Sequence, residues 1–283
     1  MEIYKKNIIE IYNSFNSKKT FFPGVRWAFE TLKVDTEYLV LGINPSNSYE
    51  ALCQALKNAK EDDYKSLTKD LKLTKDEIIK KIENIVIKID GYNFLNDQKN
   101  YDEFLNDKNN DDYILFLQKL AHEYHKHFEK HKKFVEALGI DKYEFMDLFP
   151  IWRISQKSFE KDLKKEILKG FDESMLLEFN KLVSRHKAIK GLFFLNKSAG
   201  KFYLKKDIHE YKMKDQIIPF IIPYKTLKNV EKTKKSEVIY NELEVGGKKI
   251  SVFVFGLGNY DWNDNTLINF AEISRQELKL YYN

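Results

Sequence analysis

Short apolar runs recur along the chain, and each stops at a polar or turn-forming stretch. The run starting at Tyr38 breaks into Gly42-Ile43-Asn44-Pro45-Ser46. Tyr143 to Leu148 precedes Phe149-Pro150-Ile151-Trp152. Gly191 to Leu195 passes through Asn196-Lys197-Ser198 into a helical stretch over 199–204. Ile250 to Phe255 ends in Gly256-Leu257-Gly258-Asn259-Tyr260-Asp261-Trp262. Continuous runs of this length predict strands buried on both faces. Helical patterns fall between and around them, over 1–20, 51–60, 74–89, 112–138, 159–186 and about 264–280. Thr74 is a candidate N-cap, and Gly139 a candidate helix stop. Ile217 to Ile222, interrupted by Pro219, predicts an edge strand or a buried loop. The lysine-rich residues 225–237 predict an exposed loop, and Glu244 to Lys248 a hairpin-like turn. Apolar strands alternating with helices predict an α/β domain, its sheet mostly parallel and covered on both faces. We expect a single domain over 1–283, with a helical insertion at about 50–139 that exceeds what a crossover needs.

Composition narrows the class. The chain has 283 residues, 43% of them hydrophobic and 14% aromatic, which is a folding composition rather than a disordered one. Net charge is +5, from 48 basic and 43 acidic residues; this permits nucleic-acid binding without demanding it. Cys53 is the only cysteine, so no internal disulfide can form, and it reads as a small buried apolar residue. Residues 1–10 mix charged and apolar side chains and do not read as a signal peptide. No apolar run approaches the length of a membrane span, so no membrane association is expected, and the expected location is cytoplasmic.

Candidate chemistry concentrates after the first strand. Gly42 permits an unusual backbone or the close approach of a ligand. Pro45 stops any strand ladder. Asn44 carries one carbonyl acceptor and two amide donors where a buried parallel strand would end. Open α/β sheets bind ligands outside the carboxyl ends of their strands. The same residues also suit an ordinary strand-to-loop turn.

Four strands, each ending in a polar turn, in this order resemble the uracil-DNA glycosylase superfamily. Leu41-Gly42-Ile43-Asn44-Pro45-Ser46 is similar to the Gly-Ile-Asn-Pro-Gly motif of its mismatch-specific branch, with Ser46 for the last glycine. Leu192 to Phe202, through Asn196-Lys197-Ser198-Ala199-Gly200-Lys201, is similar to the family's third strand and following helix. The likeness covers about 36–50, 140–152 and 188–262.

The resemblance implies a three-layer α/β/α sandwich around a short, mostly parallel sheet, with a pocket at the strand ends for an extruded base. It implies a hydrolase acting in DNA repair, with DNA as partner and no cofactor. Asn44 matches the residue that orients water toward the sugar carbon. Gly42, Ile43, Pro45, Ser46, Tyr49, Asp147, Phe149 and Asn196 would line the base site, with Asp147 reading the base edge. An ionised Asp147 would favour an exocyclic amine over a carbonyl. The family's last motif, His-Pro-Ser or Asn-Pro-Ser, is absent. Asn259 stands in for its polar group, and Tyr260 or Trp262 for its wedge or stacking platform. That loss leaves open an alternative, a catalytically silent nucleic-acid or nucleotide binder.

His122, His125, His127 and His131 share one predicted helix; we read them as a solvated polar face, with no metal expected. The iron–sulfur branches of the family need four cysteines, and Cys53 stands alone. Arg26-Trp27 and Trp152-Arg153 suit packing beside an exposed charge, as well as contact with phosphate and base. Oligomeric state is not legible in this sequence.

Overall fold

The unbroken apolar runs form the strands. In the computed structural model, the residues described are 21–22, 32–42, 58–60, 74, 76–77, 80, 123, 126–149, 152–153, 171–206, 208–209, 211–225, 231–257 and 264–278. Among them the strands are β1 (Phe21–Phe22), β2 (Tyr38–Gly42), β3 (Tyr143–Asp147), β4 (Trp152–Arg153), β5 (Gly191–Phe194), β6 (Tyr211–Lys212), β7 (Gln216–Lys225), β8 (Glu231–Val245) and β9 (Lys248–Phe255). The helices are α1 (Lys126–Ala137), α2 (Phe171–Arg185), α3 (Lys197–Lys205) and α4 (Asp264–Glu277). The expected helix over 1–20 and the greater part of the expected insertion at 50–139 lie outside the described residues.

The chain divides into two compact units. One comprises Met1–Trp27, Asn44–Phe128 and Phe149–Asp172; the other comprises Ala28–Ile43, Glu129–Leu148 and Glu173–Asn283. In the first, β1 and β4 pair antiparallel, Phe21 with Arg153 and Phe22 with Trp152. The second holds a seven-stranded mixed sheet.

Four strands of that sheet are parallel, in the order β3-β2-β5-β9. β8 lies antiparallel to β9, and both β6 and β7 pair antiparallel with β8. The chain leaves β2 for β3 on one side, then crosses to β5 on the other. The direction of winding therefore reverses between β2 and β5, which makes that boundary the topological switch point.

Register sorts the side chains onto two faces. Val40, Phe193, Phe253 and Tyr240 stand opposite one another along the sheet. They join Phe134, Val135 and Leu138 at α1 and Leu267, Phe270 and Ala271 of α4 in one buried cluster. Phe193 stacks on Phe253 at 4.8 Å, and Phe134 meets Phe255 edge-on at 5.1 Å. The other face carries Leu41, Phe194 and Val254. There Tyr203 of α3 tilts against Phe194 at 5.4 Å and meets Phe179 of α2 at 6.4 Å. The buried Tyr203 hydroxyl donates to Asn180 Oδ1 at 2.7 Å, so it enters the core with its polar group satisfied. Helices thus cover both faces of the sheet within this unit, as the alternation of elements implies.

The sequence-based boundaries of the parallel strands hold to within a residue or two. Residues 225–237 differ from expectation: from Glu231 onward they are the first half of β8 rather than a loop. Lysine content does not exclude a strand, because the backbone ladder is supplied by β7 along its whole length. Gly246 and Gly247, with φ of 58° and 72°, close the two-residue β8–β9 hairpin. Both positions of such a turn need positive φ.

At Gly200 the backbone of α3 comes close to the sheet: a Cβ built there would run into both methyl groups of Val254. Gly200→Ala is therefore expected to lower stability by about 1–3 kcal/mol through overpacking, although alanine is the better helix former. Urea-unfolding midpoints measure it. Val254→Ala made alongside should recover part of the loss; strictly additive effects would show that the two side chains do not compete.

Candidate functional site

Parallel register brings the carboxyl ends of four strands onto one edge. β2 ends at Gly42, paired with Asp147 at the end of β3. Leu41 pairs with Phe194 of β5, and Phe194 with Val254 of β9. Asn196 and Gly256 follow within two residues of those pairs. Sequence-predicted positions Gly42, Asp147 and Asn196 therefore lie along one edge of one sheet.

Gly42 and Asp147 form the most constrained pair on this edge. Gly42 is not among the positive-φ glycines, so an unusual backbone is not why glycine stands there. A close approach is: a Cβ built on Gly42 would collide with Asp147 Oδ1. The carboxyl group is folded over the α-carbon of its partner, in the space a side chain would fill. Part of Asp147 still reaches solvent. Its carboxyl is nevertheless desolvated enough by surrounding protein that burial pushes its pKa up to about 7.

At Asn196 the local structure explains the residue. Its Oδ1 accepts from Ser198 N at 2.9 Å and Ala199 N at 3.2 Å, capping α3. The side chain is exposed, and its acceptor is committed to the helix. Contact with a ligand would have to come through the amide nitrogen.

A junction that sequence reasoning missed lies beside this cap. Lys197 Nζ pairs with Glu237 Oε1 of β8. Lys197 holds the Glu237 carboxyl below the usual carboxylate range, with Lys201 contributing. A Cβ on Gly256 would sit 3.7 Å from both Glu237 O and Ser236 Oγ and 3.9 Å from Lys197 Cδ. The end of β9, the start of α3 and β8 therefore meet at one point on the carboxyl edge. One signal was available: a Gly246-Gly247 hairpin before Ile250 requires a strand leading into it, hence a β8 reaching back toward Glu237.

Phe149 is fully buried. Ile43, Asn44, Pro45, Ser46, Tyr49, Asn259, Tyr260 and Trp262 lie outside the described residues, as does Cys53. Of the four clustered histidines only His131 has a described side chain, and it is half-buried. Among the described residues, no group of three histidine, cysteine or acidic side chains is placed to hold a metal ion. Nor is any helix among them long and apolar enough to cross a membrane.

The sequence matches no protein-family model, and no curated protein or solved structure matches it.

The raised pKa of Asp147 has a defined sign for stability. Below the ordinary aspartate range both folded and unfolded chains are protonated, and no penalty applies. As pH rises to about 7 the unfolded chain ionises first, and stability falls by about 1.4 kcal/mol per pH unit. Asp147→Asn removes the titration. The variant is expected to melt above the wild type at pH 8, with the gap closing toward pH 4. A gap independent of pH would show that Asp147 titrates normally.

Proposed function

We propose that the chain is a DNA-base glycosylase of the uracil-DNA glycosylase type, hydrolysing the N-glycosidic bond of an extruded base. The observation that carries this reading is the Gly42–Asp147 pair. It sets the Asp147 carboxyl, of near-neutral pKa, at the carboxyl edge against Gly42, which stands two residues before Asn44 in sequence. The reversal of winding between β2 and β5 supports it, because that is where doubly wound sheets take their ligands.

The protonation state of Asp147 decides which base edge it fits. Protonated, the carboxyl donates one hydrogen bond and accepts another, matching a ring carbonyl beside a ring N–H, as in uracil or hypoxanthine. Ionised, it only accepts, and suits an exocyclic amine. With a pKa of about 7, both forms are populated near neutrality. Asn44 cannot take a proton. Its amide orients a water toward the sugar carbon while the base leaves with the bonding electron pair, and Asn259 is the assigned donor to the departing anion. A dry site strengthens such hydrogen bonds, and extrusion of the base supplies the access.

The second reading is a binder that does not cleave. It is favoured by the lost His-Pro-Ser motif, in whose place stand Gly258-Asn259-Tyr260.

Duplexes carrying uracil, hypoxanthine or alkylated bases, followed by cleavage at abasic sites, test the enzyme reading. Base release is expected from the wild type, and Asn44→Ala should abolish release while leaving binding. A wild type that shifts DNA but releases no base favours the binder instead. Release of carbonyl-bearing bases should fall about tenfold per pH unit above 7, as Asp147 loses its donor. In Asp147→Asn, which keeps a donor and an acceptor at every pH, that fall should vanish.

A further inference from the structure

Two glycines of the sheet-bearing unit press on atoms that have no room to give way. A Cβ on Gly191 would sit 3.0 Å from the Tyr38 ring and 3.1 Å from Ser251 O, and one on Gly200 would run into the branched Val254 side chain. Gly42 differs. Among the described residues, the atoms that a Cβ there would meet are Oδ1 and Cγ of Asp147. They are the far end of a side chain with two torsions. A methyl group at position 42 would therefore turn the carboxyl aside rather than break the packing.

The backbone around that carboxyl has no such freedom. Asp147 pairs with Gly42 at the end of the ladder, and Leu148 N donates to Gly42 O at 3.1 Å one step further on. Met146 and Leu148, on either side of Asp147, are buried, as is Leu41 beside Gly42. The strand pairing thus holds the α-carbon of Asp147 in place and leaves movement to the carboxyl.

What the carboxyl exchanges in moving is its contact with water. Over Gly42 it is desolvated, which favours the neutral acid. Turned out to solvent, it would ionise in the ordinary aspartate range. The neutral acid offers a donor and an acceptor, whereas the carboxylate only accepts. The side chain at position 42 therefore selects which of two base edges the acid can match.

We propose that Gly42 is a positioning residue that sets the base specificity of this edge. Acting through Asp147, its missing side chain gives the carboxyl a seat against backbone, and that seat makes the site take carbonyl-bearing bases over amine-bearing ones. The substrate class rests on the glycosylase reading; the seat itself rests on register and packing.

Carbon-13 titration of residue 147, with binding of free uracil and free cytosine, tests this in the wild type and in Gly42→Ala. Gly42→Ala is expected to lower the carboxyl midpoint from about 7 toward the ordinary aspartate range. At pH 6 the protonated share would then fall from about 90% to about 1%. Uracil binding should weaken at least about tenfold at that pH, and cytosine should become the better ligand. Adding Asp147→Asn to Gly42→Ala should abolish the gain for cytosine, because an amide does not ionise. Asp147→Glu leaves Gly42 intact but overshoots the seat by one methylene. It should titrate in the ordinary glutamate range and show the same change of preference. A Gly42→Ala midpoint still at the wild-type value would overturn the role of Gly42 and leave the glycosylase reading standing. So would a lowered midpoint with uracil still preferred. A wild type that binds neither base would overturn that role and the reading together.

Discussion

The parallel pairing of β2 with β3 and β5 is the constraint on which the rest depends. It fixes Gly42 opposite Asp147 at the last pair of two strands. Because Gly42 has no side chain, the Asp147 carboxyl can fold across it instead of turning out to water. That position costs stability at neutral pH, since burial opposes ionisation. A carboxyl of raised pKa at the carboxyl edge of an α/β sheet is what the proposed base site asks for.

The two edges of the parallel strands treat charge in opposite ways. At the amino edge, Glu37 pairs with Lys190 at 2.8 Å and with Lys142 at 3.1 Å. Both lysines hold it below the usual carboxylate range, Lys190 most strongly. Those ion pairs join the residues leading into β2, β3 and β5, where no ligand is expected. They are exposed, and worth little each. At the carboxyl edge, Asp147 is shifted upward by desolvation, and Lys197 pairs with Glu237. The fold thus pairs its charges at one end and keeps a titratable carboxyl at the other.

Much of the core was legible in the sequence, because strands buried on both faces must be apolar at every position. Val40, Phe193 and Phe253 announced themselves in that way. Pro219 left an edge strand or a buried loop open, and the segment is a strand that, among the described residues, pairs with β8 alone. β8 was not legible, because a lysine-rich stretch reads as a solvated loop, while what makes it a strand is its pairing with β7. Asn196 shows a different limit. A strand-to-helix turn needs a cap at the position where a site residue would stand, and asparagine serves both needs. For Gly42, the sequence left an unusual backbone or the approach of a ligand open, and only coordinates name the close neighbour as Asp147 Oδ1.

The central claim is that Asp147 is a desolvated, ligand-facing acid on this edge. Carbon-13 NMR titration of its side-chain carboxyl, in the wild type with and without free uracil, tests that most directly. The account predicts a midpoint near 7 that moves upward when uracil accepts its proton in a hydrogen bond. A midpoint in the ordinary aspartate range, unmoved by the base, would contradict it.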